Sequence, residues 1–134
     1  MCTAQAPTPA DISTEDDIQR LVDSFYGRVR TDELLGPIFA AVVQNEWPRH
    51  LATMYDFWSS LLLGTSRYRG RPFPKHLTLP IDSRHFRHWL TLFVENVDAH
   101  FAGPTANLAI QKAGTLAAIF EYRVQQAHNP YHVL

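Results

Sequence analysis

His76 stands in the stretch Arg-Pro-Phe-Pro-Lys-His-Leu-Thr-Leu-Pro, residues 71 to 80, fenced by Pro72, Pro74 and Pro80. Each proline fixes its own φ and biases the residue before it away from the α region, so this imidazole rides on a short, stiff piece of chain between longer helical patterns. A rigid imidazole beside an apolar chamber is what an axial metal or haem ligand requires. Three more polar rings, Tyr26, His50 and Trp89, lie on the apolar stripes of three separate helical patterns. Taken singly, His50 reads as a core histidine satisfied by a carbonyl, and Tyr26 and Trp89 as core rings with a polar handle. Together they are costly to bury unless something occupies the space they face, and inward polar groups from several helices commonly share a site.

The elements that must position these rings follow from periodicity. Ser13 with Asp16, or Thr14 with Asp17, has the pattern of a capped helix start, and Ile18, Leu21, Val22, Phe25, Tyr26 and Val29 continue at helical spacing. Leu35-Gly36-Pro37-Ile38-Phe39 breaks that helix. Asn45-Glu46-Trp47-Pro48 supplies a cap and a first-turn proline for the next, whose stripe reads Trp47, His50, Leu51, Met54, Phe57, Trp58, Leu61 and Leu62 before Gly64 ends it. Thr65 to Lys75 reads as an ordered surface loop. Asp82 or Ser83 caps a third long helix with Phe86, Trp89, Leu90, Phe93, Val97 and Phe101 inward and Arg84, Arg87 and Glu95 outside. After Ala102-Gly103-Pro104 a last helix runs to about Ala127, with Leu108, Ile110, Ala113, Leu116, Ala117, Phe120 and Val124 inward. No β-branched, period-two stretch competes, so the class is all-α. Residues 1–12 are expected to form a flexible arm, 13–127 one domain, and 128–134 a tail.

Composition removes several classes of function. At 134 residues one core is the default, and 12 Lys and Arg against 13 Asp and Glu give no field that favours nucleic acid or an anionic membrane surface. The single cysteine, Cys2, excludes an internal disulfide. Residues 1 to 10 have no basic n-region or apolar h-region, and no run reaches the ~18 apolar residues of a membrane span, so a soluble cytoplasmic protein is expected. The six glycines are scattered singly, which removes phosphate loops, dinucleotide fingerprints and the nucleophile elbow. His85 and His88 are spaced to clip a metal but fall off the Phe86, Trp89, Phe93 stripe, and a di-iron bundle would need Glu-x-x-His on two helices.

Phe25-Tyr26, the Leu35–Phe39 turn, Trp47 with His50 and Phe57-Trp58, the Pro72–Pro80 loop, and Phe86 followed by Trp89-Leu90-x-Leu92-Phe93 together resemble a truncated haemoglobin of the third group, over roughly residues 13 to 124. The paired glycines that mark the first two groups are missing. The resemblance implies a globin-like two-over-two helical sandwich around one haem b, held without thioether bonds because no Cys-x-x-Cys-His is present. It also implies that His76 is the proximal iron ligand, that Tyr26, His50 and Trp89 act at the distal face, and that Phe39 wedges against the porphyrin. Met54, Phe57, Trp58, Phe86 and Phe93 on the stripes become expected cofactor contacts, with Arg67, Tyr68, Arg71 and Lys75 as propionate partners from the loop.

The function so implied is binding of O2 and other diatomic ligands such as NO and CO, with redox chemistry on bound O2, nitric oxide or peroxide. Each distal hydrogen bond contributes about 0.5 to 1.5 kcal/mol, up to roughly tenfold in escape rate, so several of them suit a store or reaction vessel better than a carrier. Nitric oxide dioxygenase or peroxidase-like turnover would need an external reductase, since no flavin or nicotinamide fingerprint is present. The alternative is a haem-based gas sensor or a non-enzymatic helical regulator, for which no effector segment speaks.

Overall fold

Residues 9–68, 70 and 81–128 are described by a computed structural model with five helices and no strand among them. The stretches 1–8, 69, 71–80 and 129–134 lie outside the described residues, and with them His76, Arg71, Lys75, most of the expected arm and most of the expected tail. Helix α1 spans Glu15–Thr31, α2 Gly36–Val43, α3 Trp47–Leu63, α4 Ser83–His100 and α5 Pro104–His128. Helix α1 packs on α3 and α4, α4 runs along α5, and α3 meets α5, which places α1 and α3 in one layer and α4 and α5 in the other.

Thr14 and Asp17 form the start of α1. The Thr14 Oγ1 accepts the Asp17 N–H at 3.2 Å while the Asp17 carboxylate accepts the Thr14 N–H at 3.0 Å, so two orphan donors are satisfied reciprocally. Its inward line, from Ile18 to Val29, is buried as its spacing requires. Phe25 and Phe93, 2% and 1% exposed, meet edge to face at 5.2 Å between α1 and α4. Burying a side chain of this size stabilises by about 1.5–3 kcal/mol.

Several expectations change. Gly36 to Phe39 is not merely a break: it opens a second helix, α2, because Pro37 is preorganised for a first turn and the Asp32 carboxylate accepts the Leu34 and Leu35 N–H groups just ahead of it. A Cβ on Gly36 would sit 3.0 Å from the Arg30 carbonyl oxygen, so glycine is what lets α2 start so close to the end of α1. Residues 10 to 12 are not an arm. Ile12 is 1% exposed, the Ala10 carbonyl accepts the Ala102 N–H, and the Asp11 carboxylate accepts the Thr105 and Ala106 N–H groups at the head of α5. Along α5 the buried line is Ala106, Ala109, Ala113, Ala117 and Val124, while Leu108 and Ile110 are only half-buried. The small side chains bring α5 close to α4, and the larger ones flank that seam.

The first turn of α3 has no side-chain cap, contrary to expectation. Glu46 occupies the cap position without a side-chain hydrogen bond, after a tight turn in which the Glu46 N–H donates to the Val43 carbonyl and Gln44 takes φ 54°, ψ −121°. The far end closes on Gly64 in the left-handed region, as its sequence position indicates.

Candidate functional site

All five helices contribute to one apolar cavity. Its walls enclose about 210 Å³. Tyr26 comes from α1, Phe39 and Val42 from α2, His50, Met54, Phe57 and Trp58 from α3, His85, Phe86 and Trp89 from α4, and Leu116 and Phe120 from α5. Most are aromatic or aliphatic. His50, Met54 and Phe57 of α3 are half-buried, because they face this space, while Trp58 beside them is buried. Val42 is 54% exposed beside it.

Tyr26, His50 and Trp89 all line this cavity. The Tyr26 and His50 rings meet edge to face at 5.0 Å, and Phe39 stands against both, at 5.8 and 6.4 Å. Trp89 reaches the cavity from α4, with one face stacked on Phe93 at 5.5 Å and Phe25 perpendicular to it at 5.5 Å. Burial pushes the Tyr26 hydroxyl far above the ordinary tyrosine pKa, so it keeps its proton and remains a donor throughout the physiological range.

Met54, Phe57, Trp58 and Phe86 line the cavity, but Phe93 and Tyr68 do not. Phe93 is sandwiched between Trp58, at 4.9 Å, and Trp89, and so holds two lining rings from behind. Tyr68 stands edge-on to Phe57 at 5.0 Å, while its N–H donates to the Ser60 Oγ. Arg67 lies 3.8 Å from Glu15, whose carboxylate also accepts the Ser59 hydroxyl, and this pins the start of the loop to α1.

Sequence spacing puts His85 off the inward stripe, and the structure corrects that. It is 8% exposed and lines the cavity. Its Nδ1 accepts the Asp82 N–H at 3.1 Å while the Asp82 carboxylate accepts the Arg84 N–H, so the histidine completes a capping box at the head of α4. The signal is legible in the chain: Asp82-x-x-His85 has the oxygen-first, acceptor-three-later spacing, and position 85 lies one turn before Trp89. His88 turns elsewhere, with its Nε2 2.6 Å from the Asp32 carboxylate. The two histidines therefore do not converge, and no trio of metal-ligating side chains forms among the described residues.

Residues 10–118 match the family model described as bacterial-like globin. The chain is 36% identical over 111 residues to the group 3 truncated haemoglobin ctb of Campylobacter jejuni, covering 80% of this chain and 87% of that one. It is 34% identical over 77 residues to the group 1 truncated haemoglobin GlbN of a Nostoc species, covering 57% and 63% of the two chains. Its structure superposes on the crystal structure of a group III truncated haemoglobin from Campylobacter jejuni with a TM-score of 0.77 at 34% identity, over 84% of this chain and 91% of the other. Helices in two crossed layers around an apolar, donor-edged cavity thus define a globin. The chain belongs to the bacterial-like globin family, as a truncated haemoglobin of the third group.

Membership of this family implies haem and small gaseous ligands. The described walls fit such a group: they are broad and apolar, as a macrocycle needs, and their polar atoms are confined to a few ring tips. No helix of the described residues is long and apolar enough to cross a membrane.

Proposed function

We propose that the cavity holds one haem b with His76 as its proximal ligand, and that Tyr26, His50 and Trp89 face the ligand side. When bound, haem supplies an iron that takes up diatomic molecules and exchanges electrons with them. The chain's own residues do the rest. The rings of Phe39, Phe57, Trp58 and Phe86 cover the apolar faces and exclude water. The Tyr26 hydroxyl, the His50 imidazole and the Trp89 indole can each donate to a partly negative ligand such as O2, and the raised Tyr26 pKa keeps one of those donors protonated. The observation that carries this reading is that Tyr26, His50 and Trp89, from α1, α3 and α4, line one largely apolar space.

Several donors favour retention of O2 and chemistry on it over rapid carriage. Nitric oxide mixed with the oxygenated protein is expected to give nitrate in a single turnover, leaving an oxidised cofactor. Further turnover is assigned to a separate reductase that returns one electron per cycle, since these residues carry no flavin or nicotinamide fingerprint. Absorbance spectra of the purified protein test the first step. A Soret band that shifts on reduction and addition of CO is expected, and a colourless protein that refuses hemin would defeat the proposal. Rapid mixing with nitric oxide tests the second: steady consumption without reductant, or no reaction within seconds, would exclude that chemistry and favour storage or sensing.

A further inference from the structure

His50 is carried by the first turn of its helix, which has no side-chain cap. Helix α3 follows a tight turn with Gln44 at positive φ, its cap residue Glu46 makes no side-chain hydrogen bond, and Pro48 in the first turn has no N–H to give. The His50 N–H donates to the Glu46 carbonyl at 2.8 Å, an ordinary helical bond that fixes the backbone but not the ring. Tertiary contacts fix where the imidazole points, and Trp47 makes one of them beside Tyr26 and Phe39.

The Trp47 ring stands perpendicular to His50 at 5.6 Å and inclined at 63° to Tyr26 at 5.9 Å, so one side chain touches two of the three donors. It is half-buried and does not line the cavity, which puts it behind those donors rather than among the groups that meet a ligand. The guanidinium of Arg30, from the last turn of α1, lies over its ring at 4.4 Å from the centroid. A cation over an indole face is attracted by the ring's negative quadrupole, and a positive charge on the last turn of a helix is favoured by the helix dipole. Arg30 is exposed and makes its contact from outside the core.

We propose that Arg30 and Trp47 form a clasp that positions the His50 ring, and through it the polarity of the ligand side of the cavity. Trp47 and Arg30 are positioning residues, since neither reaches the cavity. The proposal rests on the reading of His50 as ligand-facing, and the experiment separates the two. It uses the ferrous CO complex, which is diamagnetic, with two readouts: the ring-proton resonances of His50 by NMR and the C–O stretching band by infrared. The variants are Trp47→Leu, Trp47→Phe, Arg30→Ala, Arg30→Lys and His50→Ala.

Trp47→Leu and Arg30→Ala should shift or split the His50 resonances and move the C–O band towards that of His50→Ala. Trp47→Phe keeps a ring and Arg30→Lys keeps a cation, so both should stay near the unaltered protein. Unchanged His50 resonances in Trp47→Leu and Arg30→Ala, even with a lowered melting temperature, would overturn the clasp and leave Trp47 as packing alone. If Trp47→Leu does not fold, Arg30→Ala tests the same contact from the surface. Should the resonances move while His50→Ala leaves the C–O band untouched, the clasp stands and the ligand-facing role of His50 falls.

Discussion

Tyr26 and Trp89 are held by rings on several sides and have little freedom to turn away from the cavity. Tyr26 is 6% exposed, with Phe25, Phe39, Trp47 and His50 around it, while Trp89 is fixed between Phe25 and Phe93. Replacing either by phenylalanine removes a donor and keeps most of the ring volume, so the effect should fall on ligand escape and not on folding. Tyr26→Phe and Trp89→Phe should each speed O2 dissociation by roughly threefold to a few hundredfold, the range for losing one or two hydrogen bonds to a partly charged acceptor. Stopped-flow release that is unchanged in both variants would make them core residues only.

At the scale of elements, two junctions depend on backbone detail. Gln44 sits at φ 54°, ψ −121° in the turn between α2 and α3, a conformation that glycine adopts freely and other residues do not. Gln44→Gly should therefore raise stability by about 1 kcal/mol, the relieved strain outweighing glycine's greater entropy when unfolded. The other junction is Asp11, whose carboxylate caps α5 from 94 and 95 residues away, beside a Gly103 at φ 142° where a Cβ would lie 2.5 Å from the Asp11 side chain. Asp11→Ala should cost about 1 kcal/mol, the usual loss of a helix cap. Urea unfolding of both variants checks the opposite signs.

For the whole molecule, acid should loosen the same joints that define the layers. Hydrogen bonds from the Ser13 and Thr14 backbone lower the Asp17 pKa below its ordinary value of 3.8. For Asp11 and Asp32, burial acts upwards but is outweighed: by the Thr105, Ala106 and Ile12 N–H groups at Asp11, and by His88 with the Leu35 and Leu34 N–H groups at Asp32. A carboxylate with a depressed folded pKa contributes its full stability above the unfolded value and loses it as pH falls through the folded one. Melting temperature should therefore hold down to about pH 5 and then fall steeply below about pH 4. Asp32→Asn should flatten part of that fall while lowering stability at neutral pH, because it removes the ion bridging α1 and the start of α2 to His88 on α4. Thermal melts of both proteins across the acid range up to neutrality measure this.

The local patterns of this chain sufficed for the four long helices, the Gly64 stop and the inward faces of Tyr26, His50 and Trp89, because these depend on neighbours three or four residues away, and they narrowed two helix caps to adjacent pairs from which the structure takes Thr14 and Asp82. Residues 10 to 12 and the start of α2 read as arm and turn because their stabilising partners are remote or lie across a tight approach: Ala102 and the head of α5 for the first, the end of α1 for the second. His85 read as outward because a stripe drawn through the largest side chains is narrower than the face a cavity exposes. Tertiary structure alone settled which aromatics line that cavity and which stand behind it. Phe93 and Phe86 share one stripe and one ring type, yet Phe93 is taken up by Trp58 and Trp89 while Phe86 meets open space, a distinction set by what the facing helices leave unfilled.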